Sequence, residues 1–299
     1  MVESIHFTDT INTRFKSNIK ASISFFVLGY RVGVILCQMS NGTQKVDFVP
    51  RGAIFDMDDT LLNNYPVKGD MGLHERARFF ALKEVGQKYT ITELLETTQE
   101  QNKDVIKRAT EHSVEGGVWQ LFYELGLVKD RKVDHTNPLL REITARKHDL
   151  YEPILAEFGA PFPQAVEFVQ AMYVLTDGRI AIASGAKRRD ILTFLDITGL
   201  GAYFLPERIF GQENYNYSKP NPESFDLAFK TLGLSDGDRA EVLAFEDDPK
   251  GIESAKTAGL FACAITTRFD KRALESEPIV PDVIAGDYVS FAQLFGIEF

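Results

Sequence analysis

The sequence predicts an α/β protein, in which a parallel β-sheet is flanked by helices and a block of helices is inserted after the first strand. Short β-rich runs alternate with helical patterns through the second half of the chain, as in βαβ units. A long stretch behind the first run has no strong strand signal. Acidic, hydroxyl and lysine side chains stand where the runs end, and ligands gather at the carboxyl ends of parallel strands.

Four runs predict the strands of the core sheet. They are AIFDM (53–57), RIAIAS (179–184), EVLAFE (241–246) and FACAIT (261–266). Helical patterns adjoin the later runs, for example RRDILTFLDITG (188–199) and PKGIESAKTAG (249–259). Alternation of this kind predicts parallel strands that are joined by crossover helices.

The stretch between the first two runs predicts a helical subdomain. Its amphipathic segments are LHERARFFALKEVGQ (73–87), TELLETTQEQNKDVIKRATEH (92–112) and NPLLREITARKHDLYEPILAEF (137–158). The prolines of APFPQ (160–164) disfavour helix, so we expect the sheet to resume near residue 163. The predicted units are a core of residues 50–66 and 160–299, a cap of residues 67–159 and an N-terminal extension of residues 1–49.

Composition restricts the classes of partner. The chain has 299 residues, 44% hydrophobic and 25% charged, which is typical of a globular protein. Its 33 basic residues stand against 43 acidic ones, a net charge of −10. This balance argues against broad nucleic-acid binding, because the phosphate backbone would be repelled. A small anionic substrate stays possible, since a pocket needs only a few donors.

The first fifty residues carry an apolar run, ASISFFVLGY (21–30), that Arg31 interrupts. It is too short for a bilayer, which needs about 20 residues. A secretory segment would need a cleavage site, and none is convincing. We favour a docked extension, or an artefact ahead of a natural start at Met39, and expect a cytoplasmic protein. Cys37 and Cys263 lack metal-ligand spacing and indicate a reducing compartment.

Three carboxylates fall within four positions at the end of the first run, those of Asp56, Asp58 and Asp59. Two such charges about 4 Å apart repel by roughly 4 kcal/mol at an effective dielectric of about 20. The fold must therefore supply a cation, protonate a carboxyl group or point the side chains apart. Asp56 and Asp58 lean the same way, because they are two positions apart. We interpret them as a nucleophile and an acid/base, with turn and cap chemistry as the alternative.

Two further groups follow at strand ends. Ser184 and Gly185 precede a helix predicted from about Lys187, where a hydroxyl and free N–H groups can bind an anion. An ordinary Ser N-cap is the alternative. Lys219 lies in SKPNP (218–222), on a short rigid loop that leads into a helix. Most lysines are merely solvated, but this setting slightly favours a functional role.

The run EVLAFE leads into Glu246, Asp247 and Asp248. Asp248 stands before Pro249 and is explained as the N-cap of the next helix. Glu246 and Asp247 have no such explanation. They are the better candidates for binding a hard cation through oxygen.

In this order, the four groups resemble the motifs of the haloacid dehalogenase-like superfamily. FDMDDT (55–60) resembles its DxDxT motif, and Ser184, Lys219 and Glu246-Asp247 resemble its later motifs. The resemblance covers roughly residues 50–290. Within that range, three segments look most like the branch of β-phosphoglucomutase and the small sugar-phosphate phosphatases: ARKHDLY (145–151), SKPNPESF (218–225) and FEDDPKGIESAKTAGL (245–260).

The resemblance implies a Rossmann-like parallel sheet core with an inserted α-helical cap domain, and phosphoryl transfer with Mg²⁺ as cofactor. Asp56 is expected to attack phosphorus. Asp58 is expected to act as acid/base, with a pKa raised by its carboxylate neighbours and by closure of the cap. Mg²⁺ would be held by Asp56, the backbone carbonyl of Asp58 and Asp247, with indirect help from Glu246.

Phosphate-binding residues and substrate-binding residues follow from the same resemblance. Ser184, Gly185 and Lys219 would bind the phosphoryl oxygens. The cap offers His74, Arg146 and Lys147 as candidates for contact with the rest of the substrate, although exposed positions on the cap are the alternative for each. The partner would be a small phosphorylated metabolite, with no nucleic acid and no membrane, and the protein a monomer or weak dimer.

The sequence departs from the family pattern at two positions beside the site. Asp59 stands where the family usually has Gly, and Asp248 where Ser is common. Both add negative charge and remove no catalytic group. We expect Asp59 to face away from the site as a turn residue. The one tryptophan, Trp119, is expected to pack in the cap rather than bind substrate.

Competing functions remain. A phosphomutase needs the same two aspartates, but Thr60 occupies a position that is apolar in the mutase pattern, which favours hydrolysis. A receiver-type signalling module is also α/β, but its motif order differs and no long helical insert follows its first strand. A non-catalytic scaffold is disfavoured because all four groups are intact. The sequence does not identify the substrate.

Overall fold

The computed structural model describes residues 46, 48–66, 70–111 and 113–298. It also gives the backbone of two strands, β1 (Ser22–Val27) and β2 (Tyr30–Ile35), which pair antiparallel. Most of the predicted N-terminal extension, including Cys37 and Met39, lies outside the described residues. Where the description of the main body begins, Phe48 packs edge-on against Phe261, with ring centroids 5.1 Å apart.

A six-stranded sheet forms the core. Its order is β10-β9-β8-β3-β6-β7, and every pairing in it is parallel. The strands are β3 (Gly52–Phe55), β6 (Ile180–Ala183), β7 (Ile209–Phe210), β8 (Val242–Glu246), β9 (Phe261–Ile265) and β10 (Val283–Ala285). Two other strands, β4 (Leu62–Asn63) and β5 (Ala160–Pro161), pair antiparallel where the chain leaves the core and returns to it.

Both faces of the sheet are buried, as the continuous apolar runs predict. Ala53 and Phe55 belong to one hydrophobic cluster, while Ile54 between them belongs to the other. Residues two apart along a strand share a face, so this alternation assigns each cluster to one face. The flanking helices that follow the cap in sequence are α7 (Ala165–Leu175), α8 (Arg188–Ile197), α9 (Glu223–Lys230), α10 (Pro249–Thr257), α11 (Lys271–Glu275) and α12 (Tyr288–Phe295).

A helical cap is inserted between β4 and β5. Its helices are α1 (Leu73–Tyr89), α2 (Thr92–Glu96), α3 (Gln99–Asn102), α4 (Val105–Arg108), α5 (Val114–Glu124) and α6 (Pro138–Phe158). They share a third hydrophobic cluster that contains Leu82, Trp119, Phe122 and Leu140. Trp119 is a packing residue, as expected, with its Nε1–H donating to Asp130 O at 2.9 Å.

Two predictions about elements were wrong, and one helix was missed. Residues 92–112 do not form one helix, because extended backbone at Thr97 and Lys103 and a left-handed Asp104 divide the segment into short turns. The core sheet does not resume near residue 163, since β5 pairs with β4 and the next core strand is β6. Helix α5 was not predicted, because Gly116 and Gly117 near its start weaken the helical pattern.

Within the described part of the chain, no helix combines the length and apolar character that crossing a membrane requires.

Candidate active site

Three carboxylates meet at the carboxyl edge of the sheet. Asp56 directly follows β3, Glu246 is the last residue of β8, and Asp247 follows it. Because β3 and β8 are parallel neighbours, their ends bring these side chains together. One oxygen from each lies within 4.8 Å of the others, and all three residues are buried.

Lys219 joins this group from the loop before α9. Its Nζ donates to Asp56 Oδ1 at 2.6 Å, to Glu246 Oε1 at 2.5 Å and to Ala183 O at 2.9 Å. All three N–H bonds of the ammonium are therefore satisfied. The structure brings together residues that are 163 positions apart in sequence.

The charges of this group shift one another's pKa values. Burial raises the pKa of Asp56 well above its ordinary value, against the opposing effect of Lys219, and the charges of Glu246 and Asp58 raise it further. Burial also raises the pKa of Asp247, with Glu246 and Asp56 adding to it. Burial opposes the charge of Lys219, but Asp56 and Glu246 outweigh it and hold its pKa above the ordinary value.

The same group fits a divalent cation. One lysine charge faces three carboxylates, and the charges of these carboxylates add to burial in raising the pKa values of Asp56 and Asp247. Asp247 Oδ1 accepts from Thr60 Oγ1 at 3.1 Å, while its buried Oδ2 has no hydrogen-bond partner among the described residues. Buried carboxylate oxygens of this kind are the ligands that hard cations prefer. A buried acidic cluster suited to a metal ion is therefore present.

Gly251 is a supporting residue that sequence reasoning missed. It lies in the first turns of α10, where a Cβ atom would collide with the carboxylate of Glu246. Glu246 Oε2 in turn accepts from the N–H groups of Asp247 and Asp248 at 3.0 and 3.2 Å. A glycine is needed here for close approach, which an isolated helical Gly signals only weakly.

The loop behind β6 lies beside these carboxylates. Ser184 is fully buried and its Oγ accepts from Ala186 N at 3.2 Å. Lys187 is the N-cap residue of α8, so the helix begins at Arg188, one position after the predicted start. The N–H groups of Gly185 and Lys187 donate to no other described residue. They are free to bind an anion, and a side chain at Gly185 would meet only open space.

Asp58 faces the cap. Its Oδ1 accepts from Asn64 Nδ2 at 3.2 Å and from Tyr151 Oη at 3.4 Å, and His74 Nε2 lies 3.6 Å away. The side chains of Asp58 and His74 are 28% and 39% exposed, so the junction between cap and core is open to solvent here. Asn64 and Tyr151 were missed, although Tyr151 stands one helical turn behind Lys147 on the predicted helix.

The predicted pKa shift of Asp58 was wrong. Partial burial does raise its pKa, but the hydrogen bond and charge of His74, the Asn64 amide and the charge of Lys147 outweigh burial. The pKa of Asp58 is therefore lowered, and its carboxylate form is favoured in the free protein. The prediction considered the acidic neighbours and closure of the cap, but omitted the donors that Asn64 and the cap supply.

Two of the three cap candidates lie near Asp58. Lys147 is buried and its Nζ lies 3.0 Å from His74 Nδ1. An ammonium can only donate, so Nδ1 is the acceptor and the ring proton is on Nε2, which faces Asp58. The His74 ring stacks on Tyr151, with centroids 4.1 Å apart. His74 thus faces Asp58 and Tyr151, although 39% of its side chain stays exposed.

The structure does not bring Arg146 to the site. Its guanidinium pairs with Glu84 on the outer surface between α1 and α6, and its side chain is 41% exposed. Adjacent positions on a helix point about 100° apart, so Lys147 and Arg146 cannot both face the core.

The two departures from the family pattern have local explanations. Asp59 adopts a left-handed backbone, with φ at 56°, and its carbonyl accepts from Thr267 Oγ1 at 2.5 Å. It is a turn residue, as expected, at a position where Gly would be unstrained. Asp248 caps α10, as expected, by accepting from Lys250 N at 2.9 Å.

Fold and site together define an α/β protein with an acidic, lysine-bridged centre at the carboxyl edge of its sheet, beneath an inserted helical cap. A model of the haloacid dehalogenase-like hydrolases matches residues 50–259. The chain belongs to this family, as its motifs predicted.

Curated relatives and solved structures agree with that assignment. The chain is 33% identical over 88 residues to validoxylamine A 7'-phosphate phosphatase of Streptomyces hygroscopicus. These residues make up 29% of this chain and 40% of that protein. It is 29% identical over 124 residues to a phosphorylated carbohydrates phosphatase of Thermotoga maritima, covering 40% and 53%. These matches span about half the length of the relatives, or less.

The fold is that of a solved structure described as a predicted phosphoglycolate phosphatase from Haemophilus somnus. The two chains are 16% identical, with a TM-score of 0.61, and the match covers 83% of this chain and 99% of the other.

Proposed function

We propose that this protein is a Mg²⁺-dependent phosphatase that hydrolyses a small phosphorylated metabolite, such as a sugar phosphate, through an aspartyl-phosphate intermediate. The observation that carries the proposal is the carboxylate of Asp56, held by Lys219 beside two further carboxylates, with Asp58 two positions away. The named activities of the two curated relatives, both phosphatases of phosphorylated carbohydrates or related compounds, support the same class of reaction.

The cation would be held by Asp56, Asp247 and the backbone carbonyl of Asp58. Glu246 would assist indirectly. When bound, Mg²⁺ would offset the charge of the carboxylates and of the substrate phosphoryl oxygens.

In the first step, a carboxylate oxygen of Asp56 bonds to phosphorus while the bond to the leaving oxygen breaks. Asp58 gives a proton to that oxygen, which leaves as an alcohol. Lys219 and the free N–H groups of Gly185 and Lys187 stabilise the charge on the transferring oxygens. Because Asp58 is a carboxylate in the free protein, its proton must be gained as the substrate binds, when the approaching phosphate charge raises its pKa.

In the second step, Asp58 has returned to its carboxylate form and removes a proton from water. The water oxygen bonds to phosphorus, the bond from phosphorus to Asp56 breaks, and inorganic phosphate leaves. His74 keeps its Nε2–H directed at Asp58, which favours this carboxylate form.

Hydrolysis of p-nitrophenyl phosphate tests the proposal. We expect turnover that requires Mg²⁺ and is lost in Asp56→Asn, while the matched change Asp59→Asn retains it.

Asp247→Asn should raise the Mg²⁺ concentration needed for half-maximal rate, and Asp248→Asn should not, because Asn also caps a helix. Turnover by Asp56→Asn at the wild-type rate would refute the mechanism.

A β-phosphoglucomutase-like phosphomutase is the second candidate, because it would use the same two aspartates. Thr60 favours the phosphatase, since its hydroxyl binds Asp247 where the mutase pattern has an apolar residue. Single-turnover assays separate the two. Release of phosphate without a bisphosphate intermediate is expected for the phosphatase. A receiver-type or non-catalytic module would show no turnover at all.

A further inference from the structure

Two segments lie side by side at the carboxyl edge of the sheet. One is the β6–α8 loop, residues 184–187, and the other is the β7–α9 connection, residues 211–222. They leave the sheet at the same edge because β6 and β7 are parallel neighbours. The connection carries Lys219, whose Nζ donates to Ala183 O at the end of β6, at 2.9 Å. The proposed function uses the loop and Lys219, but no other residue of the connection.

Tyr215, on the β7–α9 connection, binds the next carbonyl group of the loop strand. Its Oη lies 3.1 Å from Ser184 O. The carbonyl oxygen can only accept a hydrogen bond, so the tyrosine hydroxyl is the donor. Tyr215 stands four positions before Lys219, and the two side chains bind consecutive carbonyl groups, those of Ser184 and Ala183. The start of the loop is therefore held from the connection.

The 3₁₀ turn Gln212–Asn214 holds the other end of the loop. Gln212 N donates to Ala186 O at 2.9 Å, and the carboxylate of Glu213 accepts from Arg188 N at 3.0 Å. Arg188 is the first residue of α8, where a backbone N–H has no acceptor within the helix and a negative charge is favoured. Glu213 thus fixes the start of α8 against the connection.

Gly211 allows the two segments to approach closely. It is buried, and a Cβ atom at this position would lie 2.6 Å from Arg188 N and 2.9 Å from Ala186 O. Both neighbours are backbone atoms, which cannot rotate away as the end of a flexible side chain can. The contact is therefore one of backbone against backbone, and it leaves the loop little room to shift.

The backbone hydrogen bonds of residues 184–188 show what this arrangement leaves for a ligand. Three of the five N–H groups have acceptors within the protein, those of Ser184, Ala186 and Arg188. The other two, of Gly185 and Lys187, alternate with them and donate to no described residue. The carbonyl groups of Ser184 and Ala186 are turned to the connection. Free donors thus remain on alternate residues of a loop that is held on both sides of them.

We propose that Tyr215 and Glu213 are positioning residues of the β6–α8 loop, which hold its backbone so that the N–H groups of Gly185 and Lys187 stay directed at the phosphoryl group. This inference rests on the proposed function, in which those two groups stabilise the transferring oxygens. Both residues act through the loop and not on the substrate. Donors that are fixed in advance stabilise developing charge better, because they need no reorganisation during the reaction.

Tyr215→Phe tests the first positioning residue, because it removes one oxygen atom and keeps the ring. The Ser184 carbonyl loses its donor, so the loop holds its free N–H groups less firmly. We expect KM for p-nitrophenyl phosphate and the inhibition constant of inorganic phosphate to rise together by about three- to tenfold, the range that one hydrogen bond gives. The Mg²⁺ concentration for half-maximal rate should not change.

Tyr217→Phe is the matched control for that variant. Tyr217 lies two positions further along the same connection and is 66% exposed, and its hydroxyl has no hydrogen bond within the described structure. Its substitution should leave KM and the inhibition constant unchanged. An inhibition constant in Tyr215→Phe equal to that of the wild type would overturn the role of Tyr215.

Glu213→Gln and Glu213→Met test the second positioning residue. Both remove the negative charge, but only Gln keeps a side-chain oxygen that can accept from Arg188 N. The difference between them therefore measures the hydrogen bond without the charge. We expect the inhibition constant of inorganic phosphate to be about three- to tenfold higher in Glu213→Met than in Glu213→Gln. Equal constants in this pair would overturn the role of Glu213.

A binding measurement separates this inference from the proposed function, because it needs no turnover. With Mg²⁺ present, inorganic phosphate should raise the Tm of the wild type and of Tyr217→Phe by the same amount, and that of Tyr215→Phe by less. Equal rises in all three would show that Tyr215 contributes to stability alone, and would overturn the inference while leaving the proposed function intact. No rise in the wild type would overturn both.

Discussion

The two buried lysines of the site are held in opposite ways. Lys219, in the core, donates all three N–H bonds, two of them to carboxylates, at 2.6 and 2.5 Å. Lys147, in the cap, contacts a neutral imidazole and an aromatic face. Their pKa values move in opposite directions. Asp56 and Glu246 overcome burial and raise the pKa of Lys219, whereas burial lowers the pKa of Lys147 to about 8.

The difference separates a lysine whose charge is fully paired from one whose charge is compensated only in part. Lys219 balances carboxylates that would otherwise repel one another, so it contributes to stability and to the reaction centre together. Lys147 forms no direct ion pair with a described residue, and the charges of Asp58 and Asp190 compensate its burial only in part. Its burial costs stability, because the ammonium loses hydration that one hydrogen bond and an aromatic face do not replace. Substitution of the two lysines should therefore change stability with opposite signs.

The largest effect is expected for Lys219→Met. Removing one partner of a buried ion pair leaves an uncompensated charge and costs about 3–5 kcal/mol. The free energy of unfolding, measured by urea denaturation in metal-free buffer at pH 7, should fall by that amount. Added Mg²⁺ should restore part of the loss by replacing the missing positive charge.

Asp56→Asn combined with Lys219→Met provides the control for this prediction. The double variant should be more stable than Lys219→Met alone, because one of the two orphaned carboxylates has been removed. If Lys219→Met is as stable as wild type, Lys219 does not balance the charge of the centre.

The opposite sign is expected for Lys147→Met. The folded-state pKa of about 8 lies below the ordinary value of 10.5, so the unfolded chain binds the proton more tightly. The wild type is therefore penalised below pH 8 and relieved as pH rises to about 10.5, by about 3 kcal/mol at most. Lys147→Met should be more stable than wild type at pH 7, and the gap should close by pH 10.5.

Arg146→Met serves as the reference, because an exposed ion pair contributes about 0–1 kcal/mol. A pH-independent difference between wild type and Lys147→Met would show that packing, and not charge, sets the effect of that substitution.

The same contrast explains what the sequence predicted and what it did not. The core side could be predicted because strand ends follow apolar runs, so that Asp56, Ser184 and Glu246 were found by position, and parallel strands bring their ends to one edge. Lys219 does not lie at a strand end and was found from the prolines of its loop before α9. The four core strands were predicted within two residues of their observed limits. The edge strands β7 and β10 were missed, because two or three residues give too short a pattern.

The site residues of the cap could not be predicted in the same way. Helical periodicity gives the faces of α1 and α6 but not how two helices are rotated over the sheet. His74, Lys147 and Tyr151 meet Asp58 only because of that packing, and Arg146 looked equally suitable in sequence. The wrong pKa of Asp58 has the same origin, since its donors come from Asn64 and the cap.

A smaller effect is expected for Gly251→Ala, which tests how tightly the core side is built. The added methyl group would collide with the carboxylate of Glu246 and move it away from Lys219. A displacement of about 1 Å in such a centre costs up to about a hundredfold in rate. We expect kcat to fall by about ten- to a hundredfold. Gly201→Ala is the control, because its Cβ would meet only Leu195 O at 3.8 Å.

Unchanged kcat in Gly251→Ala would mean that Glu246 can move without consequence, and that the fixed contact between Lys219 and Glu246 is not needed for the reaction.

The smallest effect is expected for Asp59→Gly, in the turn that follows β3. Gly adopts the left-handed backbone at φ 56° without strain, which stabilises the folded state. It also increases the conformational entropy of the unfolded chain. The net gain in the free energy of unfolding from the backbone is therefore below about 1 kcal/mol. Burial, followed by the charge of Asp58, raises the pKa of Asp59 to about 6. A raised carboxyl pKa lowers stability as pH rises from about 4 to 6, because the folded state binds the proton more tightly.

Asp59→Gly should therefore be more stabilising at pH 7 than at pH 4, when each variant is compared with wild type by urea denaturation. Asp59→Asn separates the two causes, because Asn keeps a side chain that tolerates the left-handed region and removes only the charge. If both variants gain the same stability at pH 7, charge accounts for the whole effect. A gain confined to Asp59→Gly would instead assign the effect to the backbone.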